Sequence, residues 1–364
     1  DSFCPLPWEK AVERAGGRLT SSYFFLDKTL PPSHQSYYIE LALASARVQT
    51  QMPDKHNLVL YIDRDLVESR LQRLEPWLSY KGDIHQLETR AKQSEVLHTR
   101  AMSECITCLA CLTACPAIRE VWEIFVGPMY QVNLAKSALN PLDSGKRIAE
   151  AAHYGLFRCT QCGACADVCP KGINIPEKAI HQLRSLFLKE EEIPRPVKKV
   201  IENVRRKGNP FGKEAKWEWS KGLNLPKHGN VVLFAGCLSS FEFDSTLRRA
   251  MSLLKRLGIK IAYYAENELC CGAPLLNMGD EDEFRRNAQE MISRFQFGKT
   301  KTVITGCAEC YQTLARSYPK YLPETKMPVV KHISQVIAES MNRLGTIRRR
   351  IPETIVTYHD PCRL

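Results

Sequence analysis

Two stretches decide how this chain reads: CITCLACLTACP at 105–116 and CTQCGACADVCP at 159–170. Each spaces its cysteines as C-x2-C-x2-C-x3-C and then places a proline. The first run is Cys105, Cys108, Cys111 and Cys115 before Pro116; the second is Cys159, Cys162, Cys165 and Cys169 before Pro170. This spacing holds [4Fe–4S] cubanes, with the fourth cysteine of each run serving the other cluster. Thiolates separated by two residues let a short loop curl over three corners of a cube, and the proline turns the chain toward the neighbouring cluster. The expected sets are Cys105, Cys108, Cys111 and Cys169 on one cubane, and Cys159, Cys162, Cys165 and Cys115 on the other. Structural zinc, which uses isolated C-x2-C pairs, and disulfides are the weaker readings of a doubled pattern.

The rest of the composition is that of an ordinary globular protein. The chain has 364 residues, 44% hydrophobic and 25% charged, enough for two or three domains. Its fifteen cysteines, if held as thiolates, imply a reducing compartment, so a cytoplasmic location is expected. No apolar run reaches the roughly 18–20 residues of a membrane span. Net charge is +11, but no basic run is interleaved with aromatics, which argues against nucleic acid. A solvated basic surface is the plain reading; docking to an acidic partner subunit or to anionic headgroups is the sharper one. The chain starts at Asp1 and stops at His359-Asp360-Pro361-Cys362-Arg363-Leu364, just past a strand-like run. Residues are therefore expected beyond Leu364, and before Asp1.

Outward from the cysteine runs, residues 1–60 are least informative, with strand-like or buried composition at Tyr23–Leu26 and Tyr37–Ala46 and a lone, unliganded Cys4. Leu66, Val67, Leu71, Leu74 and Leu78 recur at helical spacing over 64–80, and a charged helix over 83–100 leads into Cys105. Helices are also expected at Ala117–Val126, Gln131–Leu139, from a cap at Asp143 or Ser144 to about Tyr154, and at Ile175–Leu188. Residues 189–210, rich in proline and charge, read as linker with one basic helix at Val197–Lys207, and the domain boundary is placed at about 210–228. Trp217 and Trp219 are expected to pack rather than stack on a ligand. Beyond Asn230 strands and helices alternate: strands at Val231–Ala235, Ile259–Tyr264, Thr302–Thr305, from Val329 and at Thr354–Thr357, with helices at Thr246–Leu257, Asp282–Phe295, Ala308–Ser317 and Ser334–Asn342. Such alternation implies a mostly parallel sheet covered on both faces.

This second half places Cys237, the pair Cys270-Cys271 before Gly272, and Cys307-Ala308-Glu309-Cys310 at or after the carboxyl ends of expected strands. Ligands of open α/β sheets gather there. Glycines beside the cysteines allow close backbone approach. Adjacent thiols such as Cys270 and Cys271 cannot easily share one corner of a cube, so they suit a more open cluster. Glu309 is expected to cap a helix, and His332 and His359 to be loop or core residues.

The order Cys237, Cys270-Cys271-Gly272, Cys307-x2-Cys310 resembles the cysteine-rich CCG domain of heterodisulfide reductase catalytic subunits. That resemblance implies that Cys237, Cys270, Cys271, Cys307 and Cys310 hold a non-cubane [4Fe–4S] cluster and are the catalytic ligands at which a disulfide is cleaved. His359-Asp360-Pro361-Cys362 resembles the opening of a second CCG repeat, with Cys362 as first ligand of a further cluster or metal. The first half, including Pro53–Leu78, Gly127-Pro128 and Cys169-Pro170-Lys171-Gly172, resembles the iron–sulfur subunit of succinate dehydrogenase or fumarate reductase. It departs from that family by keeping Cys162, which implies two full cubanes, and by lacking the C-x4-C-x2-C motif of a [2Fe–2S] domain.

The fold expected is α+β overall: an N-terminal segment at 1–60, which reads as a remnant or truncated [2Fe–2S]-type domain lacking its cysteines, a helical two-[4Fe–4S] ferredoxin-like domain at 61–210, and an α/β CCG domain at 229–364. A fusion of this kind is the layout of the thiol:fumarate reductases. The resemblance implies an oxidoreductase subunit that couples a flavoprotein partner to thiol/disulfide chemistry, with membrane or other redox subunits as further partners and a peripheral membrane position through one of them. Two alternatives stay open: a quinone-linked or membrane-docked CCG oxidoreductase, and a non-catalytic electron relay.

Overall fold

The computed structural model describes residues 18–20, 23–27, 50–54, 57–61, 64–80, 99–121, 124–214, 217–343 and 361. Tyr37–Ala46, most of the helix expected over 83–100, the strand expected at Thr354–Thr357, and Cys4, His359 and Cys362 lie outside the described residues. The chain divides into two units, Asp1–Glu192 and Ile193–Leu364. Sequence composition put the boundary later. Helix Arg195–Lys207, expected at Val197–Lys207 within a charged, proline-flanked linker-like stretch, belongs to the second unit. Its Val197, Ile201 and Val204 form a buried stripe at helical spacing.

The first unit opens with an antiparallel sheet of four strands in the order β1-β2-β4-β3: Arg18–Thr20, Tyr23–Asp27, Asn57–Tyr61 and, at the edge, Thr50–Asp54. Pro53 has no amide to give a ladder; it sits on this edge strand, where the register shifts between Gln51 and Asp54. Helix Arg64–Arg73 follows. It ends earlier than its apolar spacing suggested. Leu74 closes on Leu71 O with a tight 3.0 Å bond, Glu75 turns left-handed at φ 45°, and Pro76 cannot continue the helix.

The core of this unit is built on helix Pro128–Ala138, buried almost all round. Met129, Tyr130 and Leu134 pack with Met102, Leu112, Phe125, Ala151, Leu156, Ile180 and Leu183. Gln131 is fully buried on this helix and donates to Ala151 O and Tyr154 O at 3.2 and 3.3 Å, satisfying carbonyls at the end of helix Arg147–His153. Asp143 does not cap that helix, as its position had suggested. Its carboxylate accepts from Gly145 N at 2.7 Å and from the buried Arg147 at 3.2 Å. Arg147 also donates to Leu74 O and Trp77 O, tying the end of helix Arg64–Arg73 to this loop. The core reaches the cysteine loops: Cys111, Cys115 and Cys165 are buried in it.

The second unit carries a three-stranded parallel sheet in the order β5-β6-β7, Val231–Phe234, Thr302–Thr305 and Val329–His332. Leu233, Ala235 and Ile304 pack against Leu247, Met251, Leu254 and Val336 on one face. The alternate residues Val232, Phe234, Val303 and Thr305 are buried too, so both faces are covered, as parallel strands require. The strand expected at Ile259–Tyr264 is reduced to one parallel bridge, Val232 to Ala262. The reason is local: the next amide, Tyr263 N, turns to Pro226 O, and the Tyr263 hydroxyl accepts from Trp219 Nε1 at 3.1 Å. Trp219 is thus a core residue.

Candidate metal centres

The two cysteine loops of the first unit have one backbone written twice. Thr107 and Gln161 are both left-handed at φ 54°. Two residues on, Leu109 (φ 66°) and Gly163 (φ 93°) are left-handed again, and each starts a short helix, Ala110–Thr113 and Ala164–Asp167. The closing bonds match: Leu112 N to Leu109 O and Ala166 N to Gly163 O, then Cys115 N to Leu112 O and Cys169 N to Ala166 O. Left-handed residues between the cysteines turn successive amides inward, as at other anion-binding loops. Gln161 N and Ile173 N point at sulfur, 3.3 Å from Cys159 Sγ and 3.4 Å from Cys169 Sγ.

The fourth cysteine of each run lies beside the other run. Cys105, Cys108, Cys111 and Cys169 line one pocket with Met129, Val132, Ile173 and Ile175. Cys115 lies instead with Cys159 and Cys162, whose charges it feels, and beside Cys165, which feels its own. Burial pushes the Cys108 thiol up and Cys111 well up, the latter also opposed by Cys165, Cys105, Cys108 and Cys169. Burial likewise raises Cys115 to about 11 and Cys165 further. Because Cys165 is the strongest charged neighbour of Cys111, the two sites adjoin through these buried thiols. Burial and mutual repulsion both oppose ionisation here, and bound iron would relieve both. Among the described residues no group of three or more Cys, His, Asp or Glu is arranged to hold a single metal ion; a polynuclear body spreads its thiolates wider.

The second unit brings its five cysteines to the carboxyl ends of β5 and β6 and the loop after Ala262. Gly236, two residues past β5, has φ 75°, and a Cβ there would stand 3.1 Å from Cys310 Sγ and 3.7 Å from Cys307 Cβ. Only glycine allows that approach. Cys237 begins helix Cys237–Glu242 and is close enough for its charge to oppose that of Cys271. Gly272 (φ 86°) packs its bare Cα against Phe284 and Asn287, and starts helix Ala273–Met278. Cys307 caps helix Ala308–Gln312, its Sγ accepting from Cys310 N at 3.5 Å.

Within this cluster hydrogen bonds from the Cys270 and Cys310 thiols pull Cys271 down to about 6. A bond from Cys310 pulls Cys307 down to about 6. Cys310, holding its proton between Cys271 and Cys307, is pushed well up. A site that makes two of its thiols ready anions has the donor chemistry of a thiolate-bound iron cluster.

Several residues of the site escaped the sequence reading. Glu268, 5% exposed, accepts from Ala235 N at 2.7 Å and Gly236 N at 3.0 Å, bracing the turn before Cys237. Its place two residues before the cysteine pair was the available signal. Asn287 holds Cys270 O at 2.9 Å. Arg184 donates to Cys159 O at 2.7 Å and to Leu156 O. Glu309, at the start of its helix, accepts from Asn277. His332 caps helix Ile333–Glu339, bonded to Ser334.

The fold and these thiol sites define an iron–sulfur protein of two parts. Residues 101–173 match the 4Fe-4S dicluster domain and residues 231–315 the cysteine-rich domain called CCG. The chain is 30% identical, over 84% of its length, to one subunit of the fumarate reductase (CoM/CoB) of Methanothermobacter marburgensis. It is 29% identical over 84% of its length to an uncharacterized iron–sulfur protein of Methanocaldococcus jannaschii. It spans 60% of the length of each. One subunit of the dihydromethanophenazine:CoB–CoM heterodisulfide reductase of Methanosarcina barkeri is 26% identical over 72% of this chain and 69% of that one. The chain thus carries a 4Fe-4S dicluster domain and a CCG domain, and is similar to subunits of fumarate reductase (CoM/CoB) and of heterodisulfide reductase.

Proposed function

We propose that this chain carries electrons between a flavoprotein partner and a disulfide or thiol pair that reacts at the CCG site. In this reading Cys105, Cys108, Cys111 and Cys169 hold one [4Fe–4S] cubane, and Cys159, Cys162, Cys165 and Cys115 the other. Cys237, Cys270, Cys271, Cys307 and Cys310 hold a non-cubane [4Fe–4S] cluster. The observation that supports it is the meeting of three loops: Cys310 and Cys307 lie against Gly236, and Cys271 interacts with Cys270, Cys310 and Cys237. When bound, the cluster supplies electrons and Lewis-acidic iron to sulfur. The chemistry balances as one disulfide, two electrons and two protons against two thiols. The protein's part is to hold the five sulfurs, keep Cys271 and Cys307 as anions, and bring the two cubanes next to each other through Cys111 and Cys165. A second CCG repeat, with Cys362 as its first ligand, belongs to the same reading.

The partner is inferred from relatives that are subunits of redox complexes. Among the described residues no helix is long and apolar enough to cross a membrane. We place the chain in the cytoplasm, with a partner as its route to a membrane. A second reading, a quinone-linked oxidoreductase, is favoured by the 25% identity over 63% of this chain to the EtfAB:quinone oxidoreductase of Syntrophomonas wolfei.

Iron counting with electron paramagnetic resonance tests the proposal. About twelve irons, with one signal perturbed by added thiol, are expected; about eight would leave the CCG site without a cluster and end the catalytic reading. Quinone reduction without thiol perturbation would favour the second reading.

A further inference from the structure

One polar group close to the CCG thiols takes no part in holding or bracing them. Tyr318 is 1% exposed, and among the described residues its hydroxyl has no hydrogen-bond partner. Native proteins rarely leave a buried hydroxyl unpaired. If it stayed unpaired in the working protein, phenylalanine would be the cheaper residue.

The backbone explains where this hydroxyl points. Helix Ala308–Gln312 carries Cys310 and runs on without a break through a π-turn, Thr313–Ser317, into Tyr318–Tyr321. Pro319 drives the irregularity, because it offers no amide to the Ala315 carbonyl one turn back. In a regular helix, residues eight apart stand about 80° apart around the axis. One extra residue in a π-turn makes Tyr318 behave as the seventh after Cys310, about 20° from it. Helical side chains lean toward the N-terminus, so the Tyr318 ring reaches back toward Cys310. Burial, and next Cys271, Cys270 and Cys310 in their ionised forms, oppose loss of its proton, so the hydroxyl stays a donor.

The ring is held in place. Phe284 meets it edge-on at 5.8 Å and 69°. Phe284 in turn fills the space left by the missing Cβ of Gly272, next to Cys271. A loop that carries two thiols and a ring that carries one hydroxyl are thus packed through a single phenylalanine.

We propose that Tyr318 tunes the CCG site, its hydroxyl donating a hydrogen bond to a sulfur held among Cys270, Cys271 and Cys310. The inference rests on the reading of those cysteines as cluster ligands. No proton leaves the tyrosine oxygen; the bond acts by stabilising negative charge on sulfur, which favours the reduced state.

The test is a redox titration of the whole chain, read by the paramagnetic signal of the CCG site, with the cubane signals as internal standards. Tyr318→Phe is expected to lower the midpoint so that the oxidised-to-reduced ratio at the wild-type midpoint rises about tenfold, about 59 mV for one electron. The cubane midpoints and iron content stay put. Should Tyr318→Phe shed the CCG iron, 3-fluorotyrosine at 318, a stronger donor of the same shape, is expected to raise the midpoint instead. An unmoved midpoint with full iron content in the variant measured overturns the role of Tyr318 alone. A wild-type protein with no iron at the CCG site overturns the proposed function and this inference together.

Discussion

Cys271 sits where single residues matter most. Its sulfur is buried, bonded by two neighbouring thiols and opposed in charge by Cys237. Cys271→Ala is expected to abolish thiol or disulfide turnover while both cubane signals remain; loss of all signals together would overturn the ligand assignment. Glu268 works at the same scale without touching a ligand atom. Its carboxylate is the acceptor for two buried amides, Ala235 N and Gly236 N. Glu268→Ala leaves both unpaired and is expected to cost about 2–6 kcal/mol, since each buried unsatisfied donor costs roughly 1–3. Denaturant unfolding of the wild-type and variant proteins checks this, and CCG-site iron should fall while cubane iron does not.

At the scale of elements, the two cysteine loops make a controlled comparison. Leu109 and Gly163 hold equivalent left-handed positions, one with a side chain and one without. A Cβ at Gly163 meets nothing within 4 Å, so Gly163→Ala is expected to cost only the left-handed backbone term, about 1 kcal/mol. Gly155 starts the turn into the second loop from the other side. A Cβ there would lie 2.2 Å from the Ile124 carbonyl oxygen, which is backbone and cannot rotate away. Gly155→Ala is expected to cost more than about 3 kcal/mol, in the range of severe core overpacking. Thermal unfolding of the two variants should separate them clearly; equal effects would contradict the geometry. The same two loops were legible in the sequence, because C-x2-C-x2-C-x3-C dictates a local curl. The early end of helix Arg64–Arg73 was not: apolar spacing continued to Leu78, but Glu75 and Pro76 broke the backbone.

At the scale of the whole molecule, the two units should answer pH differently once iron is removed. In the first, burial raises Cys115 from 9.0 to about 11. Its favoured neutral form gives stability that is full below about pH 9 and is lost as pH rises through about 11. In the second, Cys271 and Cys307 are lowered from 9.0 to about 6. Their favoured anions give stability that is full above about pH 9 and is lost as pH falls through about 6. Hydrogen exchange of the reduced, chelated protein across about pH 5 to 11 is expected to show protection failing at the acid end in the second unit but not in the first, and failing at the alkaline end in both, since Cys310 is raised in the second unit as Cys115 is in the first.

The sequence by itself determined the curl of the two cysteine runs, the reach of each fourth cysteine toward the other run and the parallel sheet. Those depend on short-range spacing: thiols two residues apart, glycine beside a ligand, strands alternating with helices. Only the tertiary structure decided what surrounds the thiols. Glu268 stands more than a helix away in sequence from the amides it braces, and helix Arg195–Lys207 joins the second unit rather than bridging to it. Tyr318 reaches the CCG site because a proline forces one extra residue into a helical turn and a phenylalanine fills the space beside a glycine. No local pattern encodes those contacts, because they arise where segments far apart in the chain must fill one volume without leaving a polar atom unpaired.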